Sequence, residues 1–434
     1  MKDPVRSTRS AFDSAIRRPD EGSLLERYLA VREVTRKLAE PLSPEDCAIQ
    51  SMPDASPTKW HLAHTSWFFE TFILEPSGKA YRPFHPAFRV LFNSYYNGVG
   101  DKHPRPQRGL LSRPSLDDVL AYRAHVDAAL ASQLQSGTMT AEGLALVELG
   151  IQHEQQHQEL IVTDLKHLLS CNPLKPVYRS QWPLTSIHAG RPAWIEFEAG
   201  LREIGHAGEG FSFDNELPRH PVWIGDFAIA SRPVTNGEYI AFMQDGGYLR
   251  PELWLSAGWD AVVAQGWQAP LYWERLDDGW HTFTLRGRAP VEPNTPLCHV
   301  SLFEADAFAR WSGARLPTEG EWETAAIDSP LEGNFLESAA LHPLAMREAP
   351  NDGALAQVFG DVWEWTRSDY APYPGFQAAL GAMGEYNGKF MSNQYVLRGG
   401  SCATPASHIR RTYRNFFPAE ARWQFSGVRL ARDA

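Results

Sequence analysis

Long apolar runs are absent from this sequence. No stretch of eighteen apolar residues occurs among its 434 residues, so no helical membrane span is expected. An excess of basic charge is absent as well. Lys and Arg number 41 against 52 Asp and Glu, a net charge of −11. That balance disfavours nucleic acid and anionic membranes as partners, because both require a basic face. Cysteine is scarce: Cys47, Cys171, Cys298 and Cys402 lie far apart with no Cys-x-x-Cys pair, the pattern of a protein with reduced thiols. The opening residues, MKDPVRSTRSAFDSAIRRPD, are charged and lack the apolar core of a secretory signal, so a cytoplasmic location is expected. Internal repeats and low-complexity segments are also missing.

Hydrophobic residues make up 43% and charged residues 21%, an ordinary balance for a globular protein long enough for two or three domains. Tryptophan is abundant, at 15, and many of these residues follow residue 190 among dense Gly, Pro and Asn. The first 170 residues are instead long amphipathic segments with few glycines. The shift predicts an α+β protein of two domains: a helical one over 1–175 and an irregular, loop-rich one over 190–434. The join falls near 171–192, where Pro173, Pro176, Pro183 and Pro192 break any helix.

Four helices are predicted in the first domain. Residues 22–39 repeat Leu25, Tyr28, Leu29, Val31, Val34 and Leu38 at helical spacing. Ser56-Pro57 opens a second helix, and Ser115 caps a third with Asp117 and Asp118 in its first turn. A fourth runs from about Thr140 to Leu169. Helices of this length form a bundle, which can hold a metal between facing members. The 75–114 connection is long and rich in Pro, Arg, His and aromatics, as functional connections often are.

The fourth helix contains His153-Glu154-Gln155-Gln156-His157. Histidines four apart share a helix face and can hold one ion. As H-E-x-x-H the stretch reads as a zinc protease with Glu154 as base. The extended form of that motif needs Gly and His at 160 and 163, which here are Leu160 and Thr163. Asp164 remains open as an acidic ligand. With His64 of the second helix, the pair reads as a three-histidine site, for which Zn(II) and Fe(II) are equally suited. His61 alone reads as a packed side chain and His167 as a surface one.

In the second half, Arg315–Glu323, Phe359–Thr366, Val396–Ser401 and Phe425–Leu430 are distinctive. Their Trp, Gly and carboxylate residues suit core packing. Together they resemble the formylglycine-generating-enzyme fold, a modified C-type-lectin-like domain. Neither Cys298 nor Cys402 sits in a context matching the active cysteines of those enzymes. The first half resembles the metal-binding bundles of the DinB type. The two in this order resemble the ergothioneine-biosynthetic sulfoxide synthases, or hercynine oxygenases, over about 22–432. The most specific marks are His64 within Trp60–Phe69, His153 to His157, and Thr412-Tyr413-Arg414-Asn415-Phe416-Phe417.

The resemblance implies an Fe(II) enzyme that uses O2 to join a cysteine-type thiol to C2 of the imidazole of hercynine, giving a sulfoxide. It implies His64, His153 and His157 as iron ligands and Gln156 beside the hercynine ring. Asn415 and Tyr386 would seat the trimethylammonium end, with Phe416 adding to an aromatic wall. Two positions depart from the family. Phe417 stands where an aspartate contacts γ-glutamylcysteine, which argues for L-cysteine as the thiol donor with γ-glutamylcysteine as the alternative. Met383 stands where a proton-donating tyrosine is expected, and a thioether cannot donate. Tyr95 and Tyr96 are the candidate replacements, with adjacent rings expected to face opposite ways. Arg82, Arg89 and Arg414 are candidates for binding the cysteine carboxylate, Arg411 another. A zinc-dependent DinB-type hydrolase or thiol transferase is the rival enzyme, and a lectin-like binding module the rival without chemistry.

Overall fold

In the first half, capping residues set where the chain turns helical. A computed structural model describes residues 22–78, 81–180, 190–346, 353–379 and 384–434. The first 21 residues, the 181–189 part of the join and Met383 therefore lie outside the described residues. Helix α1 (Leu24–Ala39) starts at a Ser23/Glu26 capping box and buries Tyr28, Val31, Arg32, Thr35 and Leu38 along one stripe. A short α2 (Pro44–Ala48) leads to α3 (Thr58–Phe69), which continues as a single π-helical turn over Glu70–Leu74. The side chain of Ser56 caps nothing: its hydroxyl accepts from Arg108 Nη1 at 2.8 Å, and Pro57 takes the cap position. A short α4 (Phe88–Leu91) follows in the long connection. Helix α5 (Leu116–Ser136) begins at the Ser115/Asp118 box and ends at left-handed Gly137. Helix α6 (Ala141–Cys171) is capped by Thr140 and spans 31 residues.

Helices α3 and α6 meet at Gly150, where an added Cβ would lie 2.3 Å from the Phe69 ring. Only a glycine allows this approach, and it sets His64 opposite His153 one turn further along. No described helix is long and apolar enough to cross a membrane.

The second half is built from small sheets joined by long loops. Strands β1 (Trp194–Phe197), β4 (Phe227–Ala230) and β14 (Ala431–Asp433) form one sheet, with β4 in the middle. The chain between them pairs β2 (Gly200–Ile204) with β3 (His220–Ile224). Strands β5 (Trp273–Leu276), β6 (Gly279–Thr284) and β7 (Gly287–Pro290) form a meander, and β8 (Gly333–Asn334) pairs with β9 (Phe359–Gly360). The sheet that matters for the site has the order β12-β11-β10-β13, from β10 (Trp363–Asp369), β11 (Tyr395–Arg398), β12 (Asn415–Phe417) and β13 (Ser426–Gly427). Its register sets Asn415 opposite Leu397 and Phe416 opposite Val396. Helices α7 (Asn236–Gln244), α8 (Ser256–Gln265), α9 (Leu302–Trp311) and α10 (Glu319–Ala325) complete this half, whose core includes Trp322, Trp363 and Trp365.

Helix α6 is the seam between the halves. Its Ile161, Val162, Leu165 and Leu169 share one apolar cluster with Phe283, Cys298, Val362, Cys402 and Phe425. Its polar face reaches the same way. Glu159 accepts from Trp363 Nε1 at 2.8 Å, Ser401 Oγ at 2.6 Å and Thr404 Oγ1 at 2.7 Å, all buried. Trp363, one of the tryptophans expected to serve packing, thus also carries a polar contact across the seam.

Candidate metal centre and its cavity

His64 on α3 and His153 and His157 on α6 are buried, and one ligand atom from each lies within 4.8 Å of the others. His64 Nδ1 donates to the Phe92 carbonyl at 2.6 Å, which leaves Nε2 with its lone pair and no partner. Neither nitrogen of His153 has a partner. His157 Nδ1 lies 2.8 Å from Nδ1 of His61. Burial pushes the basicity of His64 and His157 well below the ordinary value and that of His153 down to about 3. Three neutral imidazoles with unused lone pairs, withdrawn from water, form a fitting donor set for a divalent ion.

Glu154, one residue along, points elsewhere. Its carboxylate accepts from Arg32 Nη1 at 2.8 Å and from Arg123 Nη2 at 2.9 Å, with no exposure to water. Burial alone would raise its pKa, but the two guanidinium charges outweigh that and hold it at about 2. A clamped carboxylate of this kind is no general base, so the protease reading of H-E-x-x-H fails on geometry and on proton affinity. Asp164 belongs to the surroundings of the cluster: its Oδ2 accepts from the Ser56 amide at 2.8 Å and lies 3.1 Å from His61 Nε2.

A cavity of about 350 Å³ opens beside His157, between the bundle and the β12 edge. Tyr95, Gln156, Tyr386, Asn415, Phe416 and Arg414 line it, as does Phe417. Helix α4, which leads into the 93–100 loop, is held on α3 by Trp60 Nε1 donating to Leu91 O at 3.2 Å and Trp67 Nε1 to Arg89 O at 3.0 Å. Glu385 accepts from the amides of Asn97 and Gly98, at 2.9 and 2.7 Å, and so docks the Tyr386 segment on the same loop. The Tyr386 ring thereby lies 5.7 Å from the His153 ring and 6.0 Å from that of Tyr95.

Tyr95 and Tyr96 do not face opposite ways. The segment bends instead of extending, and their rings lie side by side, 5.0 Å apart at 32°. Tyr95 lines the cavity; Tyr96 is buried behind it against Trp67 and Phe72. Phe416 stacks on Tyr370 at 4.0 Å. The expected arginines fare differently. Arg82 and Arg89 are exposed and away from this cavity, Arg89 paired with Glu75. Arg414 reaches the wall, but its guanidinium is consumed by Glu319, Asn215 O and Ala371 O. Arg411 donates to Ser329 O.

Two other arginines from the same connection border the cavity: Arg105 and Arg108. Arg108 lies over the Trp60 ring at 3.4 Å and donates to Ser56 Oγ, while its Nε has no partner. Burial drags its pKa down to about 9. Sequence signalled the connection but not which of its arginines turn inward, since all sit in similar Pro-rich surroundings. His61, read from sequence as a packed side chain, and Tyr413, noted there only within a motif, also line the cavity, as does Phe213, which carries no signal in sequence.

A hydrogen-bond relay fixes the Gln156 amide. The Gln152 Oε1 accepts from His408 Nδ1 at 2.7 Å, so His408 Nε2, 3.1 Å from the Tyr413 hydroxyl, is the bare nitrogen and accepts from it. The hydroxyl in turn accepts from Gln156 Nε2 at 2.6 Å. The Gln156 Oε1 is left buried and unpartnered at the cavity.

Residues 27–161 match the family model of the DinB superfamily, and 188–349 and 339–434 match that of the Sulfatase-modifying factor enzyme 1-like domain. A hercynine oxygenase of Mycolicibacterium thermoresistibile is 33% identical, with 96% of this chain and 96% of that protein covered. A hercynine oxygenase of Mycolicibacterium smegmatis is 34% identical, with 95% and 99% covered. This chain belongs to the hercynine oxygenase family. Its second half also resembles the formylglycine-generating enzyme of Streptomyces coelicolor, 31% identical over 50% of this chain and 81% of that protein.

In this hercynine oxygenase family member the second domain supplies one wall of the cavity, but no cysteine to it. Cys298 and Cys402 are both buried and free, and burial lifts their thiols, that of Cys298 to about 12. Neither lines the cavity, so the fold is shared without a cysteine at this site.

Proposed function

We propose that this protein is an Fe(II)- and O2-dependent sulfoxide synthase of ergothioneine biosynthesis that joins L-cysteine to C2 of hercynine. The balance is thiol plus imidazole C–H plus O2, giving the S-linked sulfoxide and water. The observation that carries the reading is the meeting of the three-histidine donor set with a cavity walled by Tyr95, Gln156, Tyr386 and Arg108. Iron, when held by His64, His153 and His157, supplies a Lewis acid that lowers the thiol pKa and a redox centre for oxygen.

The remaining roles belong to side chains. Gln156 presents an amide oxygen to a ring N–H of hercynine. Tyr386, Phe416 and Phe213 offer ring faces to a weakly hydrated trimethylammonium group, with Asn415 beside them. Tyr95 places a phenol at the cavity wall, from which it can give a proton to reduced oxygen. Arg108, with Arg105 nearby, faces the α-carboxylate of the thiol substrate, replacing Arg82, Arg89 and Arg414 in that part. Phe417 packs on Trp423 at the wall, leaving no carboxylate for the γ-glutamyl ammonium and so favouring the smaller thiol. Purified protein with Fe(II), O2, hercynine and each thiol in turn tests this. Mass spectrometry should find the hercynyl-cysteine sulfoxide. No sulfoxide from either thiol would refute the reading, and a strong preference for γ-glutamylcysteine would refute the argument from Phe417.

A further inference from the structure

The three metal-binding histidines have unequal surroundings. His64 is held by a backbone carbonyl and His153 by nothing on either nitrogen. His157 alone leads into a chain of side chains: its Nδ1 lies 2.8 Å from His61 Nδ1, and His61 Nε2 lies 3.1 Å from Asp164 Oδ2. All three side chains are buried.

Proton positions follow from the partners. A carboxylate only accepts, so the His61 Nε2 carries a hydrogen toward Asp164. Neutral His61 then has a bare Nδ1, which must accept. Its neighbour, His157 Nδ1, is therefore the donor, and His157 Nε2 keeps the lone pair. The Ser56 amide donates to the same Asp164 oxygen at 2.8 Å and so anchors the far end of the chain to the start of α3. The relay thus links the two helices that supply the ligands. A ligand imidazole that donates its second N–H is locked in tautomer and orientation and is a stronger electron donor.

We infer that His61 and Asp164 are positioning residues for the metal centre, fixing His157 as its Nε2-ligating tautomer and holding its ring in place. Neither touches the ion; both act through His157. The inference depends on the three-histidine metal reading but not on the substrates, so its failure is separable from failure of the proposed reaction.

The test is Co(II) affinity by competition with a chelator, with the Co(II) visible spectrum, on full-length His61→Phe, His61→Gln and Asp164→Asn proteins whose folding is checked by thermal melts. Removing an outer partner of this kind weakens metal binding by about 10–100-fold. His61→Phe and Asp164→Asn should each lose affinity in that range and shift the Co(II) bands. His61→Gln retains an acceptor toward His157 and a donor toward Asp164, so it should recover most of the affinity and the native spectrum. Wild-type affinity and spectrum in either folded variant, Phe or Asn, would overturn the inference. So would a His61→Gln protein as weak as His61→Phe. If His61→Phe does not fold, the near-isosteric Asp164→Asn decides by the same two readouts.

Discussion

The Arg32 guanidinium and the Glu154 carboxylate lie 2.8 Å apart, both withdrawn from water, with Arg123 closing on the other oxygen at 2.9 Å. The carboxylate that would define a protease thus ties α1, α5 and α6 together. Removing one partner of a buried pair leaves the others uncompensated and costs about 3–5 kcal/mol. Glu154→Ala should therefore show a loss of that order in chemical unfolding. A stable variant that lost only turnover would reinstate Glu154 as a chemical group.

Tyr95 lines the cavity and Tyr96 stands behind it, so the two phenols are expected to separate on mutation. Tyr95→Phe should slow sulfoxide formation more than Tyr96→Phe and divert turnover toward oxidation of the thiol alone. The product ratio by mass spectrometry is the measurement; unchanged rates and products in both variants would remove the role.

Arg108 is the buried cation with spare donor capacity beside the cavity. A charge-assisted hydrogen bond contributes about 1.5–3 kcal/mol, or roughly 10–150-fold in binding. Arg108→Leu should raise KM for cysteine in that range with little effect on KM for hercynine. Arg82→Ala and Arg89→Ala should leave both within about twofold, because neither side chain reaches the cavity. An effect confined to the latter pair would restore the sequence-based assignment.

Tyr413→Phe deletes the hydroxyl that accepts from Gln156 and lets the amide turn over. A typical hydrogen bond is worth about 0.5–1.5 kcal/mol, so KM for hercynine should rise roughly 2–10-fold, with KM for cysteine unmoved. Equal changes for both substrates would point to general damage instead.

Much of the site was legible because helices are local. The four-residue spacing of His153 and His157 fixes their common face whatever packs against it, and the caps at Ser23, Ser115 and Thr140 mark the real helix starts. Ser56, at the expected start of the second helix, does not cap it because its hydroxyl is claimed by Arg108, 52 residues away. Which arginines of the long connection turn toward the cavity is hidden from the sequence for a related reason. Arg82, Arg89, Arg105 and Arg108 all lie in one irregular connection, where no periodicity tells an inward side chain from an outward one.

Sequence by itself determined the helices, the paired histidines, the two-domain order and the family, since these depend on short-range spacing and on motifs read in line. Tertiary structure decided which way Glu154, Asp164 and the arginines face, which tyrosine meets the cavity, and how His61 and Tyr413 enter the site. Those outcomes depend on contacts between segments tens to hundreds of residues apart. There, burial makes most polar groups find a partner, and the partner, or the lack of one at the cavity, sets the role more than the residue type does.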